Sequence, residues 1–185
     1  AGLIYTSGTT NDPKGVLLTH GNFTSNSRAG YRKFKNILHE DSVSLSILPW
    51  AHSYGQTAEL YNWLFVGGSM GFMHSLETLA DDFVKVRPTF LIAVPRVFNR
   101  IYAGINAKMV EEGGIKQTLF NMAISAAKEY RENNGKVGFG TKLKLALGRK
   151  LVFSKIQERF GGRLTGSVTG SAKMNDEIAG FYTDI

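Results

Sequence analysis

From Thr89 the chain runs Phe90-Leu91-Ile92-Ala93-Val94 without a polar side chain, and Pro95-Arg96 ends the run. A strand with one wet face alternates apolar and polar residues. An unbroken run of this length is that of a strand covered on both faces, as in a parallel sheet between layers of helices. Other segments agree. Val43, Leu45 and Ile47 alternate with Ser44 and Ser46, which predicts a strand over 42–48. Gly2 to Tyr5 reads as a further buried strand, and Leu164 to Val168 as another. Helices are expected over 23–35, 56–65 and 76–86, the last stopped by Arg87-Pro88. Thr19 or Asn22 can cap the first. Val66-Gly67-Gly68-Ser69 reads as a tight turn into Met70. This alternation of strand and helix predicts an α/β fold, a mostly parallel sheet flanked by helices.

Residues 97–160 change character. Phe98, Ile101, Tyr102, Ile105 and Met109 fall on one helical face, and Gly113-Gly114 breaks the pattern. Leu119, Ala123, Ala126, Ala127 and Tyr130 make a second stripe. After the loop Asn133 to Gly140, a third stripe runs through Leu143, Leu147, Leu151, Val152, Ile156 and Phe160. The prediction is an antiparallel helical excursion off the sheet, at about 97–160. It is basic: residues 96–163 hold 14 Lys and Arg against 5 Asp and Glu, in a chain of net charge +7. A solvated helical face accounts for this charge, and so does an anionic partner such as CoA phosphates or a lipid surface. No nucleic-acid recognition motif accompanies it, so nucleic acid is not an expected partner. The 185 residues contain no cysteine, which removes disulfides and thiolate metal sites, and no run approaches the ~20 apolar residues of a membrane span.

Tyr5-Thr6-Ser7-Gly8-Thr9-Thr10-Asn11-Asp12-Pro13-Lys14-Gly15 follows the first strand. Four hydroxyls, the backbone amides around Gly8 and Gly15, and one lysine are packed together with no apolar interruption. Successive N–H groups form an anion nest, hydroxyls add donors, and a lysine adds a point charge. Phosphate is the guest such a loop suits. It is not a P-loop of the Walker type, which has Gly before its lysine and a hydroxyl residue after it. Asn11-Asp12-Pro13 alone is ordinary turn chemistry.

Tyr5 to Val16 closely resembles the phosphate-binding signature of the acyl-adenylate-forming enzymes, the family of AMP-binding acyl-CoA synthetases, luciferases and peptide-synthetase adenylation domains. Asn11 stands where that family usually has Gly. Leu48-Pro49-Trp50-Ala51-His52-Ser53-Tyr54-Gly55 resembles a second signature, whose His-bearing turn lies at the carboxylate site. Thr169-Gly170-Ser171-Ala172-Lys173 takes the place of the Gly-Gly-Ala-Pro turn that lines the adenine and acyl carbonyl site, with Ser171 for Gly and Lys173 for Pro. Val94 to Tyr102, Lys155 to Leu164 and the long helical excursion resemble the long-chain fatty-acyl-CoA synthetase branch.

The resemblance implies a long-chain fatty acid:CoA ligase that uses ATP, Mg2+ and coenzyme A. Lys14 and His52 would be catalytic, offsetting phosphate charge and positioning the carboxylate. Thr6, Ser7, Gly8, Thr9, Thr10, Lys14 and Gly15 would hold phosphates, and Gly170, Ser171 and Ala172 nucleotide. Thr6 would be the Mg2+-side hydroxyl. The expected partners are ATP, fatty acid and CoA, with peripheral membrane contact through the basic helices of 97–160 and a cytoplasmic location. The chain is expected to be a fragment, residues 1–185 of one large N-terminal adenylate-forming domain, lacking the small C-terminal domain. The family's Tyr-Gly-x-Thr-Glu segment, ribose-binding Asp and C-terminal lysine are not in this sequence, so the fragment alone is expected to be inactive. Two alternatives stay open: a non-catalytic nucleotide-binding pseudoenzyme, suggested by Asn11, Ser171 and Lys173, and an adenylate-former for an aryl or amino acid.

Overall fold

The computed structural model describes residues 1–6 and 12–185. These form two compact units, one of residues 1–92 with 164–168, the other of residues 93–163 with 169–185.

The first unit contains a four-stranded sheet in the order β4-β3-β5-β6, made by β3 (Val43–Ser46), β4 (Ser69–Phe72), β5 (Phe90–Ala93) and β6 (Gly166–Thr169). β3 is parallel to both β4 and β5, with Ser44 opposite Phe90. All four residues of β5 are buried, as the apolar run requires. Phe34 of helix α1 (His20–Phe34) and Trp63 of α2 (Asn62–Val66) both pack on the Phe90 ring. On the edge strand β4, Gly71 has no side chain because Val86 of α3 (Leu79–Val86) occupies the space: a Cβ there would lie 2.5 Å from a Val86 methyl. Thr19 caps α1 in a reciprocal box with Asn22, so both of the residues able to cap this helix take part.

Two expectations are corrected here. Gly2 to Tyr5 is not a buried strand of the parallel sheet. β1 (Gly2–Thr6) pairs antiparallel with β2 (Lys14–Leu18) in a separate two-stranded ribbon. Only one face is partly covered: Gly2 lies against the Phe23 ring of α1, while Leu3, Tyr5 and Leu17 are exposed. The apolar run cannot by itself show that one ribbon face lacks a covering layer. The helix predicted over 76–86 begins only at Leu79, because Ser75 and Thr78 bond each other in a turn. There the Asp82 carboxylate accepts the His74 N–H and the Thr78 hydroxyl, which hold it below the usual carboxylate range.

The second unit is helical: α4 (Pro95–Glu112), α5 (Gly114–Glu132), α6 (Phe139–Gly148), α7 (Ser154–Arg159) and α8 (Asp176–Asp184). Gly113 and Gly114, both at positive φ (56° and 55°), make the break between α4 and α5. A π-helical stretch, Arg149–Phe153, joins α6 to α7. Phe98, Tyr102, Phe160, Phe181 and Tyr182 form an edge-to-face aromatic cluster. The Tyr182 hydroxyl donates to the Phe98 carbonyl at 2.8 Å, and Arg131 pairs with Asp184.

The third predicted stripe holds in its second half, where Val152, Ile156 and Phe160 are buried, and is out of phase in its first. Leu143, Leu147 and Leu151 are 51%, 43% and 44% exposed, whereas Leu145 and Gly148 are buried. The cause is the close approach of α5. A Cβ on Gly148 would sit 2.6 Å from the Ala123 Cβ, so the face bearing the smallest residue turns inward and the leucine repeat turns out. Gly148→Val should therefore cost about 1–3 kcal/mol through overpacking, while Leu147→Ala should shift stability by no more than about 0.5 kcal/mol. Urea unfolding followed by circular dichroism compares the two. The reverse order would put the leucine face back in the core.

Candidate active site

The hydroxyl-rich stretch is flanked by the end of the β1–β2 ribbon. Register places Thr6 opposite Lys14 as the last pair, and the Thr6 hydroxyl donates to the Lys14 carbonyl at 3.4 Å. Thr6, Lys14 and Gly15 are all exposed. Two residues eight apart in sequence are thus brought side by side at one mouth by strand pairing. Thr6 is left with lone pairs on its oxygen for a further ligand, and Lys14 is the residue opposite it at the same ribbon end. Ser7, Gly8, Thr9 and Thr10, together with Asn11, lie outside the described residues. Among the described residues no group of three or more His, Asp or Glu is gathered as a metal site.

The second predicted feature is the corner after β3. His52 is exposed; its N–H donates to the Pro49 carbonyl at 3.0 Å, and its carbonyl accepts the Gln56 N–H at 2.9 Å. The corner therefore runs straight into a π-helical stretch, Gly55–Tyr61, where 56–65 is predicted as plain helix. Such stretches insert a residue into a helix and re-aim side chains. Here Gly55 lies against the corner: a Cβ there would sit 2.5 Å from the Pro49 carbonyl oxygen, so no larger residue fits.

Beneath this corner is a residue that the sequence reading passed over. Glu59 is fully buried. Its carboxylate accepts the Ser46 hydroxyl at 2.7 Å, the Ile47 N–H at 3.1 Å and the Trp50 indole N–H at 3.0 Å, and the Leu48 N–H also donates to it. Four consecutive-region donors thus converge on one side chain and set the path of Ser46 to Trp50. Burial pushes the Glu59 carboxyl above its ordinary value, and the Ser46, Ile47, Trp50 and Leu48 donors only partly oppose this. A signal for it exists in the sequence. Gly55, Glu59 and Trp63 recur every fourth residue and are all buried, so a carboxylate sits in the inward phase of a helix.

The glycines after α2 make the predicted tight turn, and each is required there for its own reason. Gly67 takes the left-handed C-cap conformation (φ 80°), and a Cβ on Gly68 would meet the Ser42 carbonyl at 2.7 Å and the Trp63 indole nitrogen at 2.9 Å. The Gly170-Ser171-Ala172 turn belongs to the second unit. Ser171 adopts φ 68°, a left-handed backbone that costs a non-glycine residue about 1–2 kcal/mol.

The α/β fold, with its parallel sheet, carries the ribbon end at Thr6 and Lys14 and the His52 corner. The chain belongs to the AMP-binding enzyme family, whose model matches residues 1–185. It is similar to the peroxisomal long chain acyl-CoA synthetase 6 of Arabidopsis thaliana, 36% identical over 182 residues that cover 98% of this chain and 24% of that protein. It is also similar to fatty acyl-CoA synthetase A of Dictyostelium discoideum, 35% identical over 180 residues, 97% of this chain and 26% of that one. The chain spans about a quarter of the length of these curated relatives. The adenylation domain of a carboxylate reductase from Mycobacterium chelonae shares the fold, with a TM-score of 0.66 at 23% identity over 98% of this chain and 24% of that one.

The raised Glu59 carboxyl has a defined sign. The folded state holds the proton more tightly than the unfolded chain, so between the ordinary value of 4.5 and the raised one the folded state binds more protons. Its contribution to stability is greatest below 4.5 and declines as pH rises through the raised value. Glu59→Gln removes this dependence. The stability of wild type relative to the variant, from urea unfolding at a series of pH values, should fall from pH 4.5 toward neutrality. A difference that is flat with pH would mean Glu59 titrates as an ordinary carboxylate.

Proposed function

We propose that this chain is part of the large N-terminal domain of an ATP-dependent long-chain fatty acid:CoA ligase. The observation that carries the reading is the ribbon mouth, where Thr6 and Lys14 are paired across the ends of the hydroxyl-rich loop. The names of the relatives supply the substrate class, and the long helical unit accords with it.

A fatty carboxylate is a poor electrophile and must be activated. One carboxylate oxygen attacks the α-phosphorus of ATP, the bond to the bridging oxygen breaks, and pyrophosphate leaves, giving acyl-AMP. The CoA thiol then attacks the acyl carbon, losing its proton, and AMP departs to give acyl-CoA. The first step is governed by positioning and by neutralising charge. Lys14 binds the β- and γ-phosphates and then the departing pyrophosphate, while the loop hydroxyls and N–H groups orient them. Among the described residues the Thr6 oxygen is the side-chain donor that would hold Mg2+, and the ion would offset charge on the phosphates. His52 orients the incoming carboxylate, and Glu59 holds the corner that presents it. Gly170 to Ala172 contact the nucleotide through their backbone. The basic helices of the second unit bring the enzyme to the membrane that stores its substrate, from a cytoplasmic location.

In the longer protein, Lys14→Ala should lower fatty-acid-dependent ATP–pyrophosphate exchange about 10- to 100-fold and raise the KM for ATP, as expected for one lost charge-assisted phosphate contact. Unchanged exchange kinetics would remove Lys14 from the phosphate site.

Substrate class is read separately. Across acetate, aromatic acids, amino acids and fatty acids of rising length, kcat/KM should be highest for long fatty acids, since each buried CH2 contributes about 0.8 kcal/mol. A maximum at an aromatic or amino acid would reassign the enzyme within the family.

A further inference from the structure

The second unit contains a groove that the adenylation and thioester steps do not use. It has a volume of about 410 Å3 and lies among α4, α5, the π-helical stretch and α7. That is within the ~300–1,000 Å3 of small-ligand sites. Its floor is apolar: Met109, Leu119, Phe120, Val152 and Ile156 line it, with Phe120, Val152 and Ile156 buried. Leu151, turned outward by the packing of Gly148 on Ala123, forms part of the wall. Methionine adapts its shape to a variable guest.

The mouth is cationic. Lys108, Lys116, Lys155 and Arg159 line the groove together with a single acid, Glu112. Glu112 accepts from Lys116 at 2.9 Å, and its carboxyl is held below the ordinary range by Lys116 first, with Lys108 and Arg159 adding to the effect. The cations around Glu112 thus converge on one carboxylate already, and the mouth retains an excess of three positive charges. An apolar cleft with such a rim is complementary to one molecule with a hydrocarbon tail and an anionic head. The floor is concave, which suits a single chain; a bilayer would be met by apolar side chains standing out from the surface.

We propose that this groove binds the anion of a long-chain fatty acid, the tail on Met109, Leu119, Phe120 and Ile156 and the carboxylate on Lys155 and Arg159. It is a site in the helical unit alone, separate from the ribbon mouth and the His52 corner as a set of residues. The proposal does not rest on the ligase reading, and a negative result leaves that reading untouched.

The test is isothermal titration of the full chain with laurate, dodecanol and butyrate. Laurate should bind saturably, dodecanol at least about tenfold more weakly for want of the charge, and butyrate not at all for want of the tail. Charge reversal in Lys155→Glu with Arg159→Glu should weaken laurate at least about tenfold. Leu151→Glu, which places a carboxylate in the wall at a solvent-exposed position, should do the same. All three positions are exposed, and circular dichroism confirms folding of each variant. Laurate affinity equal to wild type in both variants would place the fatty acid elsewhere and overturn the proposal. So would equal binding of dodecanol, absence of laurate binding, or a loss in the variants confined to anionic phosphatidylglycerol vesicles.

Discussion

The first unit depends on the burial of β3 and β5 from both sides. Parallel strands with no wet face have to send every polar group to a partner, and the sheet does so through its ladder and through a few buried side chains. Thr89 illustrates the economy: its hydroxyl lies 2.9 Å from the Val43 N–H, and its carbonyl accepts both the N–H and the hydroxyl of Thr165. These bonds tie β5 to β3 on one side and to the approach of β6 on the other. Once β5 is central, its neighbours are committed, and the loops at the strand ends become the places where chemistry can be built.

Glu59 extends the same constraint into the candidate site. A chain leaving a buried strand carries N–H groups that have lost their ladder partners. Ile47 and Leu48 are in this position, and the Glu59 carboxylate receives both, along with the Ser46 hydroxyl and Trp50 indole. Burying a carboxylate is costly, which is why its proton affinity rises, and the cost is offset only because several donors converge on it. The π-helical stretch and Gly55 permit the convergence, one by turning Glu59 inward and the other by letting the Pro49 carbonyl approach. His52 stands on a scaffold fixed from below.

The helical unit is organised by different means. Its helices approach closely where their residues are small, at Ala123 and Gly148, and are pinned by aromatic edges at Phe98, Tyr102, Phe181 and Tyr182. Close packing at one pair of positions displaces a leucine face outward. The displaced leucines and the basic residues between them give this unit its amphipathic surface, including the wall of the groove.

Much of this was legible in the sequence. The both-faced burial of β5 follows from five consecutive apolar residues, the capping of α1 from Thr19 and Asn22, the break between α4 and α5 from paired glycines, and the family from two motifs in order. Local chemistry determines each of these. Tertiary structure alone decided the rest, because each outcome depends on what covers a face. Gly2 to Tyr5 has the composition of a buried strand but lies in a ribbon with one open side. Leu143, Leu147 and Leu151 have the spacing of a core stripe, yet Gly148 packs more closely and takes the inward position. Thr6 and Lys14 become neighbours only through strand register, and Glu59 becomes the support of the His52 corner only because a buried strand end turns over it.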